Sequence, residues 1–241
     1  MFDLTGKTAL VTGSARGIGL AVAAALADAG CRVILHGSSE SAHLKSAAEK
    51  LNADYAAADL GNPEELKVLF EKVPAVDILV LNGSVQSYTG LDNFSLPEFE
   101  RMIRVNVAST FELLAHYVPQ MAAKKFGRVI GISSINQIRP APRLAVYSAT
   151  KAALANIIAM TAKKYAADGV TANAILPGVI VTDRNREALK DEAFAASLRD
   201  SIPAHRFGMP EDCAPLAVFL ASEEASYITG AEIPVAGGWQ L

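Results

Sequence analysis

The sequence predicts a single doubly wound α/β domain, with a mostly parallel sheet of seven strands and helices on both faces. Three observations carry this reading. Strand-like and helix-like segments alternate along the whole chain. Several strand segments are almost wholly apolar, as strands covered on both faces must be. No Pro-rich or Ser-rich linker, internal repeat or low-complexity segment divides the 241 residues, a length that suits one large domain.

Thr8-Ala-Leu-Val-Thr12 reads as the first strand, followed by a Gly-rich turn and an Ala-rich helix from Gly17 to Ala29. Gly30 stops that helix. Arg32 to His36 is a second strand, and Ser39 to Leu51 a helix. Tyr55 to Ala58 is a weaker third strand, after which Pro63 opens a helix where its missing N–H costs nothing. Val76 to Leu81 is the fourth strand, and one long helix is expected from Leu96 to Met121. Arg128 to Ser133 is the fifth strand, Ala145 to Ala167 a helix, and Val170 to Ile175 the sixth strand, stopped by Pro177-Gly178. Thr182 to Arg199 has a polar helical pattern, Pro210 to Leu220 forms another helix, and Glu232 to Val235 is the last strand. The charged segment 179–207, between a Pro-Gly turn and a helix, is a candidate substrate lid.

Apolar residues make up 51% and charged residues 20%, a globular rather than disordered balance. A formal net charge of -3 gives no electrostatic basis for nucleic-acid binding. The two cysteines, Cys31 and Cys213, cannot build a metal site or a disulfide framework, and read as free thiols in a reducing compartment. The start, MFDLTGKTALVTG, lacks a basic segment followed by an apolar one, and no uninterrupted apolar stretch of membrane-spanning length is read. A cytoplasmic protein without membrane contact is the expectation.

The first turn reads Gly13-Ser14-Ala15-Arg16-Gly17-Ile18-Gly19, between a strand and a helix. Glycines there allow a tight turn and close approach of backbone to a pyrophosphate, and the helix N-terminus favours the phosphate charge. A dinucleotide site is expected. The spacing is not that of a P-loop. The second strand ends in His36-Gly37-Ser38-Ser39, without the carboxylate that an NAD site usually places on the ribose hydroxyls. Arg16 and the serines suit a 2′-phosphate, so NADP is favoured, with NAD the alternative. Asp59 is a candidate for the adenine edge, with Leu60 beside it; a turn or N-cap role for Asp59 stays open.

Tyr147 and Lys151 stand four residues apart at the opening of a helix, on one face. A free tyrosine, with pKa near ~10, is a poor proton-transfer group at neutral pH, and a nearby cation favours its ionised form. Ser134 ends the fifth strand and precedes Tyr147 by a short loop, so its hydroxyl is a candidate for holding a substrate oxygen. Each residue alone has an ordinary structural role. Together, at the C-terminal side of a parallel sheet, they mark a ligand site.

With these motifs in order, the chain resembles the short-chain dehydrogenase/reductase family over its whole length. The resemblance rests on Thr12-Gly13-Ser-Ala-Arg-Gly17-Ile-Gly19, Asn106 within Arg104-Val-Asn-Val107, Ser134, Tyr147 with Lys151, Pro177-Gly178, and Tyr227-Ile-Thr-Gly230. It implies a Rossmann-type domain and a catalytic tetrad of Asn106, Ser134, Tyr147 and Lys151. In that scheme Tyr147 transfers the proton and Lys151 eases its ionisation while binding the nicotinamide ribose. Ser134 orients the substrate oxygen, and Asn106 holds a water of a relay reaching Lys151. Asn82 and Gly83 fall among the cofactor contacts, as do Ile180 and Thr182 after Pro177-Gly178. A homotetramer, or a dimer, is the implied assembly. Two departures stand out: Leu81-Asn82-Gly83-Ser84 replaces the usual Asn-Asn-Ala-Gly, and Val235-Ala236-Gly237-Gly238 replaces Val-Asp-Gly-Gly.

The substrate loops offer Gln86, Ser87 and Tyr88, then Asn136, Gln137, Arg139 and Arg143; the lid adds Arg184, Arg186, His205 and Arg206. This polar set suits a sugar, a polyol, a sugar acid or a phosphopantetheine-linked acyl group, and a sugar, polyol or related polar hydroxy compound is the expectation. The expected reaction interconverts a secondary alcohol and a ketone by hydride transfer with NADP. A 3-oxoacyl-thioester reductase is the alternative within that class, and a non-catalytic NADP-binding redox sensor the alternative outside it.

Overall fold

A computed structural model describes residues 2–186 and 188–241, apart from the side chains at 184 and 188. The Arg184 side chain expected in the lid therefore lies outside the described residues. The elements run β1 (Thr8–Val11), α1 (Gly17–Asp28), β2 (Arg32–Gly37), α2 (Ala42–Leu51), β3 (Asp54–Ala57), α3 (Pro63–Lys72), β4 (Ile78–Leu81), α4 (Leu96–Ile103), α5 (Ser109–Ala123), β5 (Gly127–Ile132), α6 (Ala145–Tyr165), β6 (Val170–Pro177), α7 (Asp183–Arg186), α8 (Glu192–Asp200), α9 (Pro210–Ala221) and β7 (Glu232–Val235). The strand order is β3-β2-β1-β4-β5-β6-β7, with neighbours parallel throughout. The chain therefore forms one Rossmann-type α/β domain. The order reverses between β1 and β4, which opens a crevice at the strands' C-terminal ends.

Strand alternation builds a core on each side of the sheet. Ala9 and Val11 face one side with Ile78, Val80 and Ile130, under Val22 and Leu26 of α1, Leu44 of α2 and Leu220 of α9. Leu10, Leu79 and Val129 face the other, under Leu69 of α3, Leu113 and Tyr117 of α5, and Leu154 and Ile158 of α6. Leu26 and Leu79 are wholly inaccessible, and each such burial stabilises by roughly 1.5–3 kcal/mol.

Local chemistry corrects three expected boundaries. The helix expected from Ser39 starts at Ala42, because the Ser41 hydroxyl caps it by accepting from Leu44 N at 3.2 Å. The long helix expected from Leu96 to Met121 is interrupted by a π-turn at Arg104–Ala108. The wider turn accompanies burial of Val105 and Asn106, and the Asn106 amide pairs with the Val85 backbone. The helix expected over Thr182 to Arg199 is broken into α7, a 3₁₀ turn at Ala188–Lys190, and α8. Asp191 starts α8 anew, its carboxylate accepting from Phe194 N at 3.1 Å.

The helical run Pro142–Asp168 is long and apolar enough to cross a membrane by length and composition, although polar residues interrupt it. Here it is a core helix: Leu154, Ile157 and Ile158 of α6 pack on the sheet. At the opposite end of β5, Arg128 is 2% exposed. Its guanidinium donates to the carbonyls of Ser222 and Gly127 and to the Glu223 carboxylate, which satisfies a buried charge. Both cysteines are buried free thiols, pushed up to about 12 by burial.

Candidate active site

A cavity of about 810 Å³ runs along the C-terminal edge of the sheet, from the glycine turn to Ser134, Tyr147 and Lys151. The turn after β1 forms one end. Gly13 has φ +64° and lies so close to the β4 exit that a Cβ would stand 2.9 Å from Gly83 Cα. A Cβ on Gly19 would fall 2.5 Å from Asn82 Nδ2. That amide donates to the Thr12 and Gly13 carbonyls at 2.8 and 3.0 Å, so Asn82 fastens the turn to β4. Asn82 N and Gly83 N both donate to Thr12 Oγ1 at 2.9 Å.

The cavity brings together Gly13, Arg16, Gly17, Ile18, Gly37, Ser38, Asp59, Leu60, Asn82, Gly83, Ser134, Tyr147, Lys151, Pro177, Gly178, Ile180 and Thr182. Three expected residues do not line it. Ser14 lies within the turn: its hydroxyl donates to the Val11 carbonyl and accepts from His36 N, and its N–H donates to the His36 carbonyl. These bonds tie the β1 turn to β2. Gly19 lies beneath the turn, where its missing side chain makes room for Asn82. Asn106 is 4% exposed and sits behind the wall. Its Oδ1 accepts from Val85 N at 2.8 Å, and its Nδ2 donates to the Val85 carbonyl at 2.8 Å and to Thr150 Oγ1 at 3.1 Å.

Arg16 is exposed and pairs with Asp183 of α7 at 3.5 Å, a loose surface contact that joins the turn to the lid segment. Glu40 pairs with Lys45 at 3.1 Å on the exposed surface. The Asp59 carboxylate accepts from Gly61 N at 2.8 Å, so it shapes a turn while its residue lines the cavity. Asn62, rather than Asp59, caps α3.

At the other end, Lys151 is buried and its Nζ donates to the Ile132 carbonyl at 2.8 Å, at the last residue of β5. The ammonium lies 5.6 Å from the centroid of the Tyr147 ring. Ser134 Oγ accepts from Asn136 N at 3.1 Å, which orients the hydroxyl at the strand exit. A phenol, a buried ammonium and a hydroxyl on one wall can move a proton to or from an alcohol oxygen held among them. Ser84, at one departure, lines the same wall. At the other, Ala236 packs against Gly178, where a Cβ would approach Ala236 Cβ at 2.9 Å.

Of the substrate-loop candidates, Gln86, Tyr88, Asn136 and Arg143 line the cavity. Gln137 is used elsewhere: Ser133 donates to its Oε1, and its Nε2 donates to Glu232 at 2.6 Å. Arg206 pairs with Asp212 at 2.7 Å, and this partner holds the Asp212 carboxyl down at about 2. His36, Ser41, His43, Phe194 and Trp239 also line the cavity without having been picked from the sequence. Ser41 and His43 follow the serines already singled out, so the segment itself was the available signal. Trp239 had none beyond being the one tryptophan.

The chain matches the family described as Enoyl-(Acyl carrier protein) reductase over residues 13–240. It is 39% identical over 240 residues to the 3-oxoacyl-[acyl-carrier-protein] reductase FabG of Rickettsia felis, covering 99% of this chain and 98% of that one. A putative gluconate dehydrogenase from Agrobacterium tumefaciens superposes with a TM-score of 0.95 at 30% identity, covering 99% of this chain and 98% of the other. A 3-oxoacyl (acyl-carrier-protein) reductase from the same organism, solved with NADP bound, superposes at 0.93 with 39% identity, covering 98% and 95% of the two chains.

Proposed function

The chain belongs to the short-chain dehydrogenase/reductase family, and on that premise we propose that it is an NADP-dependent oxidoreductase interconverting a secondary alcohol and a ketone on a polar hydroxy compound of the sugar or polyol type. Its coarser activity, NAD(P)-dependent oxidation and reduction of a small hydroxy or keto compound, is common to its relatives. The observation that carries the reading is the cavity wall itself. It joins a glycine turn at one end to Ser134, Tyr147 and Lys151 at the other.

The residues present fit a dinucleotide. Gly13 and Gly83 leave room where side chains would obstruct, and the α1 N-terminus faces the same space as Ser38 and Arg16. No carboxylate ends β2, so Ser38, Ser39 and Arg16 would hold a 2′-phosphate there. When bound, NADP supplies the hydride acceptor for alcohol oxidation or the hydride donor for ketone reduction. Ser134 holds the substrate oxygen. Tyr147 takes the hydroxyl proton in oxidation and returns it in reduction. Lys151, fixed on the Ile132 carbonyl, holds positive charge beside the phenol and so stabilises the phenolate. One alcohol loses a hydride and a proton to give one ketone, and reduction reverses both transfers. Asn106 positions this wall from behind through Val85 and Thr150.

Gln86, Asn136 and Asn185 give the substrate end a polar lining, which supports a hydroxylated small molecule. The 3-oxoacyl-thioester reading is favoured instead by the 39% identity to a carrier-protein reductase. An NADP(H)-consumption screen across sugars, polyols and 3-oxoacyl thioesters separates them by relative kcat/KM. Tyr147→Phe is expected to lower kcat about 10²–10⁴-fold, with NADP still bound, because only the proton-transfer hydroxyl is lost. Undiminished turnover in that variant would refute the mechanism. Tight NADP binding with no turnover on any compound would instead identify a sensor.

A further inference from the structure

The arginines near the substrate end are not equivalent. Arg186 pairs with Asp183, and Arg206 with Asp212. Arg139 donates to the Trp239 carbonyl and lies over that indole. Arg143 pairs with no carboxylate among the described residues. It is held by aromatic faces instead, its guanidinium carbon 5.6 Å from the Tyr88 ring centroid and 5.1 Å from that of Phe194. Tyr88 comes from the segment after β4, and Phe194 from α8, whose first turn Asp191 caps. Stacking of this kind restrains a guanidinium through its faces and leaves its N–H edge for a ligand.

Position makes this edge relevant to the reaction. Arg143 lies in the 3₁₀ turn Pro142–Leu144 that leads directly into α6. Tyr147 follows four residues later and Lys151 four after that, and all three line the same cavity. The cation thus borders the same cavity as the proton-transfer group, so an anion bound to it shares that space with the reacting carbon.

We propose that Arg143 binds a carboxylate of the substrate, and that the substrates are short hydroxy or keto acids, with aldonic acids included. This rests on the alcohol–ketone reading above and narrows it. An acyl chain on a carrier arm has no carboxylate near its keto group, so it leaves this guanidinium without a partner. A planar guanidinium fork matches a carboxylate in bidentate fashion. Charge-assisted hydrogen bonds of this kind set the expected discrimination at about 10- to 100-fold.

The test compares gluconate with glucitol and glucitol 6-phosphate, and 3-hydroxybutyrate with 1,3-butanediol, using the full chain and NADP. At least one acid is expected to exceed its neutral partner in kcat/KM by about 10- to 100-fold. Arg143→Gln should collapse that ratio towards one, chiefly through KM for the acid, and Arg143→Lys should recover part of it. The same preference in Arg143→Gln, no acid preference in the parent, or preference for the phosphate ester each overturns the inference. Calorimetric titration of the NADP-loaded protein with the two acids gives a readout independent of turnover. If no compound turns over, the alcohol–ketone reading fails, while titration still decides Arg143. Acid binding weakened about 10-fold or more by Arg143→Gln and partly restored by Arg143→Lys supports the inference. Binding of neither acid, or binding indifferent to residue 143, sinks it.

Discussion

His36 joins the cofactor turn to the neighbouring strand through both ring nitrogens. Gly13 N–H donates to Nδ1 at 3.2 Å, and Nε2 lies 3.0 Å from the Ala58 carbonyl. Only the neutral ring with its proton on Nε2 satisfies both contacts. Burial holds the imidazole down at about 4, against the opposing pull of the Ala58 carbonyl and the Asp59 charge. The unfolded chain takes up this proton below pH ~6.5, whereas the folded chain resists until about 4. The contribution is therefore fully present above pH ~6.5 and is lost as pH falls towards 4, by about 3 kcal/mol. Urea unfolding at pH 7.5 and 4.5 should show a fall in stability that is smaller in His36→Gln by roughly 2–3 kcal/mol, most of that contribution. An identical fall in both proteins would remove His36 from this role. The sequence could not reveal the clamp, because a histidine at the end of an apolar strand has no periodic signature. The bonds of Ser14 are hidden from the sequence for a related reason. The motif carries its position in the turn, but its hydroxyl direction depends on Val11 and on the backbone of β2.

Periodicity marks the elements well where a helix or strand keeps one face to one core. The apolar runs of β1, β4 and β6 and the apolar face of α6 gave their locations within a few residues. It fails where one local contact changes the backbone. The π-turn at Arg104–Ala108 keeps an apolar pattern that also reads as continuous helix. In the lid segment, polar composition hides the break before α8, although Asp191 is a recognisable capping residue in retrospect. Because α8 carries Phe194 to Arg143 and to the cavity, this cap has a functional consequence. Asp191→Ala removes the bond to Phe194 N and should weaken the first turn by about 0.5–2 kcal/mol. The expected result is a substrate KM raised by up to roughly 10-fold, because KM rises in proportion as the ordered population of α8 falls. Steady-state kinetics check it. An unchanged KM would mean that α8 holds its place over the cavity without the cap.

The whole molecule opens its large cavity where β1 and β4 meet, because strand order reverses there and loops diverge to either side. One dinucleotide along the cavity would touch the β1 turn, the β2 and β3 exits, and the ends of β5 and β6. These elements come from both halves of the chain, so binding stabilises the fold as a unit. At a concentration 100 times Kd the gain is about 2.7 kcal/mol. For a chain of this size that corresponds to a rise in Tm of roughly 5–10 °C. The β2 exit then determines which dinucleotide gives the larger rise. Ser38 is exposed and lines the cavity, and the nearby Glu40 is engaged by Lys45. Thermal melting at equal concentrations of the two oxidised cofactors should therefore show the larger shift with NADP. Ser38→Asp places a carboxylate against the 2′-phosphate and should pass the larger shift to NAD. A parent shift with NAD equal to that with NADP would remove the β2 exit as the discriminating element. A Ser38→Asp variant that still favours NADP would place the discrimination elsewhere, with Arg16 the remaining cationic contact at that end.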